Sequence, residues 1–200
     1  MTGPRPDVRP CTDASQAARV IAEAFTDLAV SRALVPAGAG ERKARLEGYL
    51  QIHVDHAMVH GQVDVIDTRA VAVWFDLTRS LAIPADYGSR LAAACGRHAE
   101  RFRRCDALLE KHHPSMPHHY LAFLAVVPAA QGLGLGSALL QHGHRSADEL
   151  ELPVYLEASS RESLGLYVGH GYNPAEEPFA LDEGAWFWPC LRPPRTLLPR

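Results

Sequence analysis

The feature that most constrains this chain is a nearly unbroken apolar run, His119-Tyr-Leu-Ala-Phe-Leu-Ala-Val-Val127, closed by Pro128 and followed at once by Gln131-Gly-Leu-Gly-Leu-Gly136. A run that does not alternate reads as a central strand buried on both faces. The glycines then open a tight turn, and Leu139 and Leu140 behind them begin an amphipathic helix. Strand, glycine turn and helix in that order leave unpaired helix-start amides, with their partial positive charge, where a phosphate can approach the backbone.

Three phosphate-binding patterns compete for this turn. A P-loop needs a lysine after its last glycine, and Ser137 and Ala138 stand there instead. The dinucleotide pattern GxGxxG fails as well, because Ser137 or Leu139 occupies the position of its third glycine. What remains is Gln-x-x-Gly-x-Gly, met by Gln131, Gly134 and Gly136. Taken alone, the glycines would also fit a tight turn with no ligand.

Around this centre the pattern predicts mixed α/β structure. A short strand at Val8 to Cys11 precedes a helix capped by Thr12 or Asp13, with Ala17, Val20, Ile21, Ala24, Phe25 and Leu28 on one face. A second helix is expected from Glu41 to His60, and the runs from Gln62 to Asp67 and Ala70 to Asp76 read as an antiparallel hairpin. Helical composition returns from Asp86 to His112, broken near Gly96 or Cys105. After the glycine turn come a helix to about Glu151, a strand at Val154 to Glu157, a helix from Ser160 to His170 and strands near Phe179 to Leu181 and Ala185 to Leu191.

Two hundred residues, 47% of them hydrophobic, suit one domain with a full core, so residues 1–200 are read as one unit with flexible ends at 1–6 and 193–200. A formal charge of -3 supplies no basic field for nucleic acid. Four scattered cysteines make no disulfide framework, and the start has neither a signal core nor a later membrane-length apolar stretch. These features predict a soluble, cytoplasmic protein with no nucleic-acid or membrane partner. A homodimer is compatible with them.

The segment Leu124-Ala-Val-Val-Pro-Ala-Ala-Gln-Gly-Leu-Gly-Leu-Gly-Ser-Ala-Leu-Leu140 resembles the acyl-CoA signature of the GNAT superfamily of N-acetyltransferases. Leu156-Glu-Ala-Ser and Leu166-Tyr-Val-Gly-His-Gly-Tyr172 resemble that family's next strand and helix. Length and the His118-His119-Tyr-Leu entry are most similar to the bacterial branch of puromycin N-acetyltransferase. The resemblance covers about Tyr120 to Tyr172; earlier residues match only in the order of elements.

The resemblance implies a single α/β GNAT-like domain whose mixed, mostly antiparallel central sheet is splayed between two parallel strands and flanked by helices. It implies acetyl-CoA as co-substrate, held by the amides of Gly132, Leu133, Gly134, Leu135, Gly136 and Ser137. The backbone of Leu124, Ala125 and Val126 would pair with the pantetheine arm, and Gln131 would fix the loop. Tyr167 aligns with the family's tyrosine that protonates the departing thiolate, and a phenol with pKa about 10 holds that proton at neutral pH. On the residues alone, Tyr167 would be read as a core aromatic beside Leu164 and Val168. Ser163 stands where many relatives place an asparagine that steadies the cofactor.

The general base stays open between His118, Glu157 and water, His118 sharing a strand face with Tyr120 by alternation. Although His53, His56 and His60 stand at helical spacing, no recognised zinc pattern accompanies them, and no metal is expected. The reading is transfer of an acetyl group to the amine of a small molecule. The alternatives are a protein N-terminus or lysine as acceptor, or a sensor that binds acyl-CoA without catalysis.

Overall fold

The computed structural model describes residues 6–195; residues 1–5 and 196–200, within the ends expected to be flexible, lie outside the described residues. The strands are β1 (Arg9–Pro10), β2 (Gly61–Ile66), β3 (Ala70–Asp76), β4 (His119–Val126), β5 (Val154–Ala158), β6 (Asn173–Pro174), β7 (Phe179–Asp182) and β8 (Ala185–Arg192). The helices are α1 (Ala14–Phe25), α2 (Ala29–Leu34), α3 (Ala39–His60), α4 (Tyr87–Cys95), α5 (Ala99–His112), α6 (Leu135–Glu149) and α7 (Leu164–Gly169).

The sheet order is β1-β2-β3-β4-β5-β8-β6, with β7 added on β8. Every neighbouring pair is antiparallel except β4 and β5, which run parallel and are joined by α6. Alternation along β3 divides the core: Val71, Val73 and Phe75 face the cluster built by α1 to α5, while Ala70, Ala72 and Trp74 face α6 and α7. This is the mixed, helix-flanked α/β sheet expected from the sequence. Close packing is evident at Gly143, where a built Cβ would lie 2.3 Å from Cζ2 of Trp74, so α6 reaches the sheet only because that residue lacks a side chain.

Local chemistry explains several boundaries. The carboxylate of Asp13 accepts from Gln16 N–H at 2.9 Å and starts α1. Gly96, with φ +53°, breaks the chain between α4 and α5. The sequence suggests no separate α2, since six residues are too few to display a period. Helix α7 is also shorter than the expected Ser160 to His170, because Ser163 ties its N–H to Oγ of Ser160 at 3.2 Å and its hydroxyl to the Ser160 carbonyl at 2.8 Å. Those local bonds hold a turn where helix was expected.

Two features of β4 position the site. Its ladder with β5 is limited to His119↔Val154 and Tyr120↔Tyr155, so the two strands part beyond Tyr120 while both continue. On its other edge the register with β3 passes from Phe123↔Val73 to Leu121↔Trp74 and skips Ala122, a β-bulge. The bulge reverses the alternation, so Tyr120 and Phe123 both pack against the α1 to α5 side, and Leu124 and Val126 against the α6 side.

Candidate active site

The glycine turn keeps its amides free. Among the described residues, none of the N–H groups from Gly132 to Ser137 donates to a backbone carbonyl, whereas Ala138 N–H closes the first helical bond on Gly134 at 3.0 Å. Gly132 and Gly134 have φ of +77° and +78°, and a Cβ built on either would meet nothing within 4 Å. The space in front of Gly132 and Gly134 is therefore open, and six N–H groups stand without a backbone acceptor at the positive end of a 15-residue helix. Two side chains brace the turn: Gln131 Nε2 donates to the Val126 carbonyl at 3.2 Å, and His170 Nε2 lies 3.0 Å from Oγ of Ser137.

The gap between β4 and β5 adjoins the turn. Val127 N–H donates to the Arg69 carbonyl at 2.9 Å, so by alternation Ala125 also spends its backbone groups on β3. Leu124 then directs its groups, and Val126 its N–H, into the gap where β5 no longer answers them, while the Val126 carbonyl takes the Gln131 side chain. A cavity of about 990 Å³ runs from Gly132 through this gap, past Tyr167 and Glu157, to an apolar chamber under α1, α3, α4 and α5. Tyr167 is 8% exposed, and its hydroxyl has no hydrogen-bond partner among the described residues, yet it is not among the sealed polar atoms, which leaves it open to the cavity. Burial raises its pKa above the usual phenol value, so it carries its proton throughout the neutral range.

Opposite Tyr167 stands a chain of polar groups. Oε2 of Glu157 accepts from the Tyr120 hydroxyl at 2.9 Å, while Oε1 is sealed, without a hydrogen-bond partner, 3.6 Å from Nδ1 of His113. Nε2 of His113 is 2.9 Å from Nε2 of His118, whose Nδ1 is 2.7 Å from the Met116 carbonyl. A carbonyl only accepts, which assigns the proton of His118 to Nδ1. Burial pushes His118 below the ordinary histidine pKa and keeps its ring neutral. Its Nε2 therefore accepts from His113, and Nδ1 of His113 is the end of the chain that turns toward Glu157.

The family model described as "Acetyltransferase (GNAT) family" matches residues 68–172, more than half of the chain. The chain belongs to the GNAT family of acetyltransferases. A Corynebacterium glutamicum structure described as "histone acetyltransferase HPA2 and related acetyltransferase" is 28% identical, with a TM-score of 0.70 over 97% of this chain and 98% of that one. The mosquito arylalkylamine N-acetyltransferase like 5b shares the fold at 15% identity, with a TM-score of 0.54 over 94% of this chain and 98% of the other. A GCN5-related N-acetyltransferase from Rhodopseudomonas palustris does so at 12% identity, with a TM-score of 0.54 over 96% and 98%.

GNAT enzymes use acetyl-CoA as co-substrate, and the unpaired amides with the open space before them fit its pyrophosphate. Of the residues expected at this site, Leu124, Val126, Gln131, Gly132, Gly134, Leu135, Gly136, Ser137 and Tyr167 line the cavity. Leu133 is 62% exposed and turns its side chain away, and Ala125 is buried in the core with its backbone committed to β3. Ser163 lines the cavity, although its hydroxyl proton is given to Ser160. Both candidate bases are buried: His118 is 1% exposed with both nitrogens engaged, and Glu157 borders the cavity with a side chain only 3% exposed.

Nothing in the sequence marks His113 as a partner of Glu157, since the two stand 44 positions apart, one behind α5 and the other on β5, and meet only in the fold. No group of three or more His, Cys, Asp or Glu side chains among the described residues is arranged to hold a metal ion. Nor is any helix there long and apolar enough to cross a membrane.

Proposed function

We propose that the chain transfers the acetyl group of acetyl-CoA to the primary amine of a small molecule, with Tyr167 and Glu157 moving the protons. The observation that carries this is the continuity of one cavity from the free amides at Gly132 to Ser137, past the open Tyr167 hydroxyl, to Glu157 and an apolar chamber. Acetyl-CoA supplies the acetyl group activated as a thioester. The loop amides and the free edge of Leu124 and Val126 hold and aim it. As the amine nitrogen bonds to the carbonyl carbon, its proton passes to Glu157 directly or across a water, and His113 stands behind to take up the charge. As the carbon–sulfur bond breaks, Tyr167 gives its proton to the sulfur, and solvent later restores it.

A small acceptor is favoured because α3, α4 and α5 and the segment Leu77 to Pro84 line the chamber with mostly apolar and aromatic side chains, a surface that offers little to a polar peptide backbone. The relatives include a protein described as a histone acetyltransferase and one described by an arylalkylamine, so both kinds of acceptor belong in the test. The finer likeness to the puromycin N-acetyltransferase branch rests on length and on His118-His119-Tyr-Leu, and puromycin belongs there too. Thiol release from acetyl-CoA is measured with small amines, puromycin, and peptides with free N-termini or lysines. Turnover is expected with small amines. Turnover confined to peptides would move the acceptor to proteins, and tight acetyl-CoA binding with no turnover on any amine would support a sensor.

A further inference from the structure

The geometry points to a lipophilic amine that bears no anionic group as the acceptor, chosen by a chamber whose fixed charges are all negative. This rests on the transfer reading above and adds the acceptor's chemical class. Beyond Glu157 the walls are apolar and aromatic, with Phe25, Leu28, Phe123 and Phe187 among them. The lip is apolar as well, since Leu81, Ile83 and Pro84 line it and Ile83 is 69% exposed. Such a surface takes up an apolar body and offers little to a long polar chain.

The charge of the lining is one-sided. Among the described residues, no lysine or arginine lines the cavity, whereas Asp106, Glu110 and Glu157 border the chamber and Glu162 the end near the turn. Burial raises the pKa of Asp106, and its carboxylate accepts from the Tyr49 hydroxyl at 2.7 Å and from that of Tyr87, donors that oppose the rise. Neither His53 nor His56 offsets this. Burial lowers His53 to about 4 and pulls His56 below its ordinary value, while His113 is turned toward Glu157 and bonded to His118.

A cationic amine arriving from water is therefore drawn in and meets Glu157. A carboxylate or phosphate on the same molecule would enter a low-dielectric space with no counter-charge and several like charges. Amino acids and acidic metabolites should be excluded even when their apolar part fits.

The test uses triplets in which the carboxylate is absent, free or masked, with kcat/KM referred to the neutral amine present at the assay pH because esterification lowers amine basicity: phenethylamine, phenylalanine and phenylalanine methyl ester; tryptamine, tryptophan and its methyl ester; and isoamylamine, leucine and its methyl ester. In each triplet, kcat/KM for the amino acid is expected to fall at least about 100-fold below that of its ester. Asp106→Asn and Glu110→Gln should each narrow that gap, and the exposed Glu110 change carries little risk to folding. An amino acid used as well as its ester would overturn the acceptor class while leaving acetyl transfer intact. So would spermidine or acidic peptides used in preference to all the esters. Acetyl-CoA bound tightly, with no thiol released in any triplet, with puromycin or with peptides, would instead sink the transfer reading on which the class depends.

Discussion

The Tyr120 hydroxyl donates to Oε2 of Glu157 across 2.9 Å, joining β4 to β5 just beyond their last ladder pair. The bond spans the mouth of the splay and fixes one carboxylate oxygen, leaving the other without a hydrogen-bond partner. Removing the acceptor while keeping its shape separates the two roles. Glu157→Gln is expected to lower kcat by about 10²-fold, the lower range for a positioned base, with little change in acetyl-CoA affinity. Tyr120→Phe, which only loosens the carboxylate, should cost less. Steady-state kinetics with calorimetric titration of acetyl-CoA checks both.

At the turn, Gly134 caps α6 with φ +78°, a conformation that costs an L side chain about 1–2 kcal/mol. Its missing Cβ would project into the open space before the turn, where the proposed function places the phosphates. Gly134→Asp adds bulk and negative charge there, and calorimetry is expected to show acetyl-CoA binding lost with the circular dichroism spectrum unchanged. Gly165→Ala is the control, because its Cβ also meets nothing within 4 Å but its backbone is helical. Equal affinity in the two variants would remove the turn from the site.

The sequence made the turn and its flanking strand legible because their chemistry is local: an apolar run, a proline, and glycines spaced for a helix start. Tyr167 was legible through its likeness to a known motif, and not through its surroundings. What the sequence hid depends on register. Nothing in Leu121-Ala-Phe marks Ala122 as the bulged residue, yet that one skip decides which face Phe123 and Leu124 take. His118 was placed correctly on the face of Tyr120, and its sealing by His113 and Met116 could not be read from alternation. The chamber escaped for the same reason, because Tyr49, Tyr87 and Asp106 come from three helices and meet only in the fold.

Stability should depend on pH through Asp148. Burial would raise its pKa, but two hydrogen bonds from Arg192, at 2.7 and 2.8 Å, and the N–H of Arg195 outweigh that and hold it below the usual value. A carboxylate whose folded pKa is depressed adds stability that is fully present above its unfolded pKa, about 3.9, and is lost as pH falls through the folded one. Thermal melts should show Asp148→Ala destabilised by about 3–5 kcal/mol at pH 7, since Arg192 would be left buried without its partner. The gap between variant and parent should shrink below about pH 4, where protonation removes the same charge. A gap that stays constant down to pH 3 would mean that packing and not charge is at stake.

Tyr167 decides between an enzyme and a sensor, because a protein that only binds acyl-CoA has no use for a thiolate acid. Tyr167→Phe keeps the ring against Tyr172, 5.7 Å between centroids, and removes only the open hydroxyl. Acetyl-CoA affinity should therefore change by less than about threefold, the equivalent of roughly 0.7 kcal/mol. Its raised pKa makes Tyr167 a weak acid, which by itself would slow proton transfer. The same burial also withdraws water from the departing sulfur and raises its basicity, so the mismatch between donor and acceptor is smaller than in solution. Turnover in the variant is expected to fall by about 10²-fold in a single-turnover experiment, where slow product release cannot mask the chemical step. If the variant retains the parent's single-turnover rate, the thiolate takes its proton from water, and Tyr167 serves the packing of α7 alone.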